Sequence, residues 1–152
     1  MTADAPPVVL RRAEPADAAT VADVYLASIH ATYDFPLAHS DDEVRGWIAG
    51  HLVPAEETWV AEAGGQVVAM MALDAAGIDQ LYVLPDWIGR GVGSRFVALA
   101  KERRPDGLEL YTFQVNDRAR RFYERHGFVA AAFGDGSGNE EGQPDVLYRW
   151  QP

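Results

Sequence analysis

The chain has 152 residues, 48% of them hydrophobic and 24% charged, which suits one packed domain and excludes wholesale disorder and fibrous repeats. It contains no cysteine, so a disulfide framework, thiolate metal sites and cysteine nucleophiles are excluded, and a reducing, cytoplasmic setting is expected. The formal charge of −10 argues against nonspecific nucleic-acid binding, and no stretch reaches the length of a bilayer span, so neither nucleic acid nor membrane is an expected partner.

In chain order, residues 1–7 are expected to be flexible and residues 8–13 (VVLRRA) read as a first strand. Glu14, Pro15 and Asp17 then suit a helix start, with the helix running to about residue 30. Ser40, with Glu43 three residues on, makes a capping box for a second helix that carries Val44, Trp47 and Ile48 inward. The runs 58–63 and 66–73 are β-rich and joined by Gly64-Gly65, a hairpin signal because a two-residue turn needs positive φ. The run 78–84 is a strand stopped by Pro85, and a glycine loop leads from it into a helix over about residues 91–104, striped by Val92, Phe96 and Leu99. Residues 108–115 form a further strand, and Asn116 caps a short helix closed by Gly127. Residues 128–133 and 146–150 end the chain as a hairpin across the acidic loop GDGSGNEEGQPD.

That loop departs from a calcium loop at its sharp-turn glycine and its last glutamate, and reads as a solvated segment beside a substrate site. No histidine has metal-site spacing, so no metal is expected. The whole order gives a single domain over residues 1–152 of the α/β (α+β) class, a mixed, mostly antiparallel twisted sheet of about seven strands with four helices.

The chemistry concentrates in DWIGRGVGSRF, residues 86–96. Between Arg90 and Arg125 lie nine of the thirteen basic residues against five acids, a window of +4 in a chain whose remainder is −14. Such clustering suits a small polyanion, and equally suits arginines that merely decorate two solvated helix faces. A mononucleotide loop requires Lys-Ser or Lys-Thr after its last glycine, where Ser94-Arg95 stand, and the dinucleotide spacing meets Ser94 or Phe96 where its third glycine belongs. What survives is a strand end, bare backbone amides and a helix N-terminus suited to pyrophosphate; a simple chain-reversing turn fits the same residues.

Gly91-Val92-Gly93, the preceding strand segment Leu81-Tyr82-Val83 and the segment NDRARRFYERHGF at 116–128 together resemble the GCN5-related N-acetyltransferases (GNAT). The acetyl-CoA motif of that family is Gln or Arg, two residues, Gly, one residue, then Gly or Ala; Ile88 stands at its first position here. The resemblance runs from about residue 8 to residue 150 and implies a GNAT-like fold. It also implies acetyl-CoA-dependent transfer to a primary amine of a small molecule or peptide by direct attack, with a homodimer as one assembly such proteins form. A catalytically silent acyl-CoA-binding module on the same fold is the alternative.

Carried over residue by residue, the resemblance assigns the coenzyme pyrophosphate to Gly89, Arg90, Gly91, Val92, Gly93 and Ser94, and the pantetheine arm to Leu81, Tyr82, Val83 and Asn116. It makes Tyr123 the acid that protonates the departing thiolate, Asp79 the base that deprotonates the amine through water, and His30, Tyr33 and Asp34 the acceptor-recognition residues. Read without it, Ala119, Phe122, Tyr123 and His126 form one inward helical stripe, so Tyr123 is equally a core tyrosine. Strand alternation puts Asp79, Leu81 and Val83 on one face, Asp79 could simply hold a turn, and Asn116 could simply cap its helix.

Overall fold

The computed structural model describes residues 6–152; of the N-terminal segment expected to be flexible, residues 1–5 lie outside the described residues, and Pro6 and Pro7 are exposed. Strand β1 (Val8–Arg12) leads through a 3-10 turn at Pro15–Asp17, where proline presets the helical φ, into α1 (Ala18–Thr32). Ser40 and Glu43 exchange the two hydrogen bonds of a capping box, at 3.2 and 3.0 Å, and start α2 (Asp41–Trp47). This rod continues through a π-helical turn (Ile48–Leu52) into α3 (Val53–Ala55). Ile48 and Leu52 point inward, whereas Trp47, expected in the core, is 36% exposed and lies edge-on to Tyr25.

Strands β2 (Glu57–Ala63), β3 (Gln66–Leu73) and β4 (Ile78–Val83) come next, the first two joined by Gly64 and Gly65, both at positive φ as the two-residue turn requires. The glycine loop then opens α4 (Val92–Arg103), after which come β5 (Leu108–Phe113), α5 (Asp117–Arg125), β6 (Val129–Gly134) and β7 (Asp145–Trp150).

The seven strands of the described residues divide into two antiparallel sheets, ordered β1-β2-β3-β4 and β5-β7-β6. Strands β4 and β5 run parallel and meet through a bridge between Gly77 and Glu109, where the Glu109 amide donates to the Ala76 carbonyl at 3.0 Å. Beyond that bridge the two strands part, and cavities form along the wedge between them. One face of the first sheet packs Val60, Met70 and Ala72 against Val21, Val24, Ile48 and Leu52 of the α1–α3 side. The other packs Val68, Met71 and Leu73 against Phe96, Val97 and Ala100 of α4, with Leu108, Leu110, Val146 and Tyr148 of the second sheet. Helices on both faces explain why β3 is buried almost end to end rather than in alternation.

Candidate active site

Two cavities open along the wedge. One, of about 460 Å³, lies at the glycine loop and is walled by Val83, Ile88, Gly89, Gly91, Gly93 and Ser94 on one side and by α5 on the other. The second, of about 680 Å³, lies between the parted strands, from Asp79 through Tyr82 on β4 to Leu110 through Phe113 on β5. Leu81, Asn116, Ala119 and Tyr123 belong to the walls of both. The two cavities therefore meet at Tyr123.

In the loop, Gly89 and Gly91 have φ of 83° and 84°, a region that side chains disfavour, and the space where a Cβ would stand is empty in both. Gly93 has another cause: a Cβ there would lie 3.1 Å from the Phe122 ring, so its bareness lets α4 and α5 close together. Among the described residues, none of the backbone amides from Gly89 to Ser94 donates to a backbone carbonyl, and the first bond of the turn runs from Arg95 to Gly91. A helix of 12 residues thus presents free donors to the cavity at its positive end.

The cations there are not those nearest in sequence. Arg90 stacks over Trp87 at 4.6 Å, Arg95 donates to the Val8 carbonyl at 2.6 Å, and the Val92 side chain is buried in the core. Arg118 and Arg125 of α5 line the cavity instead, and no acid among the described residues does. A sequence signal for them existed, because Arg118, Phe122 and Arg125 have i, i+4, i+7 spacing and share a helix face. Ser94 Oγ is 3.0 Å from His126 Nε2, and burial, with the charges of Lys101 and Arg125 after it, lowers the His126 pKa. Ile88 is 38% exposed at the cavity wall.

Tyr123 is 8% exposed, packed against Phe122 and Phe128. Its hydroxyl has no hydrogen-bond partner among the described side chains, yet it is not a sealed orphan atom, so it opens on the cavities. Burial, then the neighbouring Tyr33, pushes its phenol well above the ordinary value and keeps the proton on it. Asn116 does two things at once: its Oδ1 accepts from the Ala119 amide at 3.1 Å, capping α5, and its Nδ2 donates to Tyr33 Oη at 3.0 Å. This bond ties the end of α1 to the start of α5 across the wedge. Tyr33 also packs edge-on to Phe113 and beside Phe35.

Asp79 lines the larger cavity, but not by simple alternation. Ala72 pairs with Gln80 and Leu73 with Ile78, so Asp79 is the extra residue of a β-bulge. Ile78, Leu81 and Val83 consequently pack on the α4 side, while Tyr82 packs on the α1 side and its phenol is raised by burial. His30 and Asp34 line neither cavity; His30 Nε2 lies 2.8 Å from Asp41 on the surface, and Asp34 is exposed. Of the three acceptor candidates, only Tyr33 is in the wall.

The acidic loop between β6 and β7 takes a larger part than its composition suggested. Gly134 through Asn139 and Asp145 form a wall of the larger cavity. Glu140 meets His39 at 2.6 Å and Glu141 accepts from the Ala38 amide at 2.9 Å, tying this loop to the segment after α1. Among the described residues, the lining of the larger cavity includes Asp79, Asp135 and Asp145 and no lysine, arginine or histidine. One cavity is anionic, its neighbour cationic, and an undissociated tyrosine stands where they join. Among the described residues no group of three or more histidine or acidic side chains is placed to hold a metal ion, and no helix is long and apolar enough to cross a membrane.

Comparison with known proteins bears on the same groove. The profile of the family described as "Acetyltransferase (GNAT) domain" matches residues 54–130, which include β4, the glycine loop and α5. The chain is 30% identical over 122 residues to the peptidyl-lysine N-acetyltransferase YjaB of Escherichia coli strain K12, an alignment that covers 80% of this chain and 82% of that protein. The solution structure of apo YjaB superposes with a TM-score of 0.79 at 25% identity, covering 95% of this chain and 97% of the other. The structure of yncA from Salmonella typhimurium with its cofactor acetyl-CoA has the same fold, with a TM-score of 0.73 at 18% identity over 95% of this chain and 94% of the other.

Proposed function

Because this chain belongs to the GNAT family of acetyltransferases, and so is an acyltransferase, we propose that it moves the acetyl group of acetyl-CoA onto a cationic primary amine by direct attack. The observation that carries this reading is the meeting of an anionic and a cationic cavity at the Tyr123 hydroxyl. The free amides of the glycine loop, with Arg118 and Arg125, suit the coenzyme pyrophosphate. The Leu81 to Val83 edge of β4 faces β5 without a ladder partner and suits the amides of the pantetheine arm. The larger cavity, with its three aspartates and the Tyr33 and Phe113 rings, suits an ammonium group and its alkyl stem.

Transfer then needs three things of these residues. The ammonium must lose a proton, for which Asp79 is the carboxylate on the acceptor side. The acceptor must be held against the thioester, which the wall of Leu81, Asn116 and Tyr123 shared by the two cavities favours. The departing thiolate must be protonated, and Tyr123 retains a proton at neutral pH and has no competing partner for it among the described residues. YjaB is by name a peptidyl-lysine acetyltransferase, and a lysine side chain is an amine of the class the anionic cavity favours, which makes a lysine peptide the first acceptor to try. The reading as a silent binding module is not supported, since the relatives are N-acetyltransferases.

The test is release of free thiol from acetyl-CoA against a panel of lysine peptides and small amines. Tyr123→Phe is expected to lower kcat by roughly 10²-fold, while calorimetry finds acetyl-CoA still bound. Unchanged turnover removes Tyr123 from the reaction.

A further inference from the structure

Glu56 lies between α3 and β2, and its Oε1 is the one buried side-chain polar atom without a hydrogen-bond partner among the described residues. The same carboxyl is within hydrogen-bond reach of Asp79, the bulged residue of β4 whose side chain opens on the anionic cavity. Two carboxyl groups hydrogen-bond to one another only when one of them holds a proton, because adjacent carboxylates repel. The charged groups acting on Glu56 are Asp79 and Asp74, both acids. Arg104 donates to the Asp74 carbonyl and to Glu57. From α1 and β4, Tyr25 and Tyr82 face Asp79 with phenols raised by burial, and Glu140 and Glu141 act on Tyr25 from the long loop. Burial, and after it the bond to Asp79, pushes the Glu56 carboxyl up to about 8.

Resting on the acetyl-transfer reading, we infer that Glu56 and Asp79 form one proton-accepting unit, in which Asp79 meets the acceptor ammonium directly or through water and Glu56 is a positioning residue that shares the proton received. With both carboxyls ionised, the pair takes one proton from the ammonium. The freed lone pair forms the C–N bond, the C–S bond breaks, and the sulfur takes the Tyr123 proton. The second amine proton returns through water to the tyrosinate, and the proton on the carboxyl pair leaves to solvent, so that one proton is released per acetyl group transferred. The Glu56 carboxyl, whose hold on its proton burial and its acidic neighbours strengthen, gives that proton up as pH rises and the unit then becomes an available base, so kcat/KM rises with pH. A lone exposed carboxylate titrates lower and is a weaker base.

The experiment compares wild type, Glu56→Gln and Asp79→Asn with one primary-amine acceptor over a range of about pH 5.5 to 9.5, together with carboxyl carbon NMR of the free protein. In Glu56→Gln the acidic limb of kcat/KM is expected to move down by more than about one pH unit, and kcat at slightly alkaline pH to fall roughly 10-fold, with acetyl-CoA affinity retained. The Glu56 resonance is expected to titrate near 8 in wild type and lower in Asp79→Asn. A Glu56→Gln profile superimposable on that of wild type overturns the inference, as does a Glu56 titration unmoved by Asp79→Asn. A wild type that acetylates no amine overturns the acetyl-transfer reading itself, and that failure is told apart because it appears in the wild-type arm.

Discussion

Three glycines at alternate positions of one loop have different physical reasons. Gly89 and Gly91 satisfy a backbone conformation, and Gly93 satisfies a contact between helices. Gly93→Ala would press its methyl on the Phe122 ring, which lies 5.2 Å from the Tyr123 ring and cannot move without disturbing it. The expected result is a loss of about 1 kcal/mol, or a fall in melting temperature of about 3 °C, with weaker acetyl-CoA binding by calorimetry. Unaltered binding would mean that the ring gives way freely. The sequence suggested an anion loop or a plain turn at these glycines but not their division of labour, because Phe122 approaches from an element far along the chain. The same distance hid the change of arginines: Arg90 and Arg95 are near in sequence and engaged elsewhere, while Arg118 and Arg125 reach the cavity from α5.

Among elements, the decisive feature is that β4 and β5 touch at one end and part at the other. Gly77 sits at the contact, where an added Cβ would overlap the Glu109 carbonyl oxygen, a backbone atom with little freedom to yield. Gly77→Ala is therefore expected to open the bridge between the sheets and to cost roughly 2–4 kcal/mol, read as a lower denaturant midpoint. A variant of wild-type stability would show that the bridge does not join the sheets energetically. The bulge just beyond it turns Asp79 out of the alternation and brings it to Glu56. A strand read at strict period two places Asp79 with Leu81 and Val83, and one extra residue in the pairing is enough to undo that placement.

Over the whole molecule, an acidic chain of net charge −10 separates its charges along the groove. Aspartates line the larger cavity and arginines the smaller one. If this separation recruits a cationic acceptor, raising salt from about 0.05 to 0.5 M should increase its KM several-fold with kcat little changed. A flat KM would assign recognition to the Tyr33 and Phe113 rings instead. The seven strands, the four helical rods and their order were legible because caps, turns and apolar periods are local: Ser40 with Glu43, Gly64 with Gly65, and Asn116 with Ala119 each act within a few residues. The family was likewise legible in two short motifs. Only the tertiary structure decided that the wedge opens beyond Gly77, that Asn116 clasps Tyr33 from 83 residues away, that residues of the acidic loop wall the larger cavity, and that Glu56 has Asp79 as a neighbour. Such meetings depend on register, a bulge and the packing of distant elements, and no local period in a sequence encodes them.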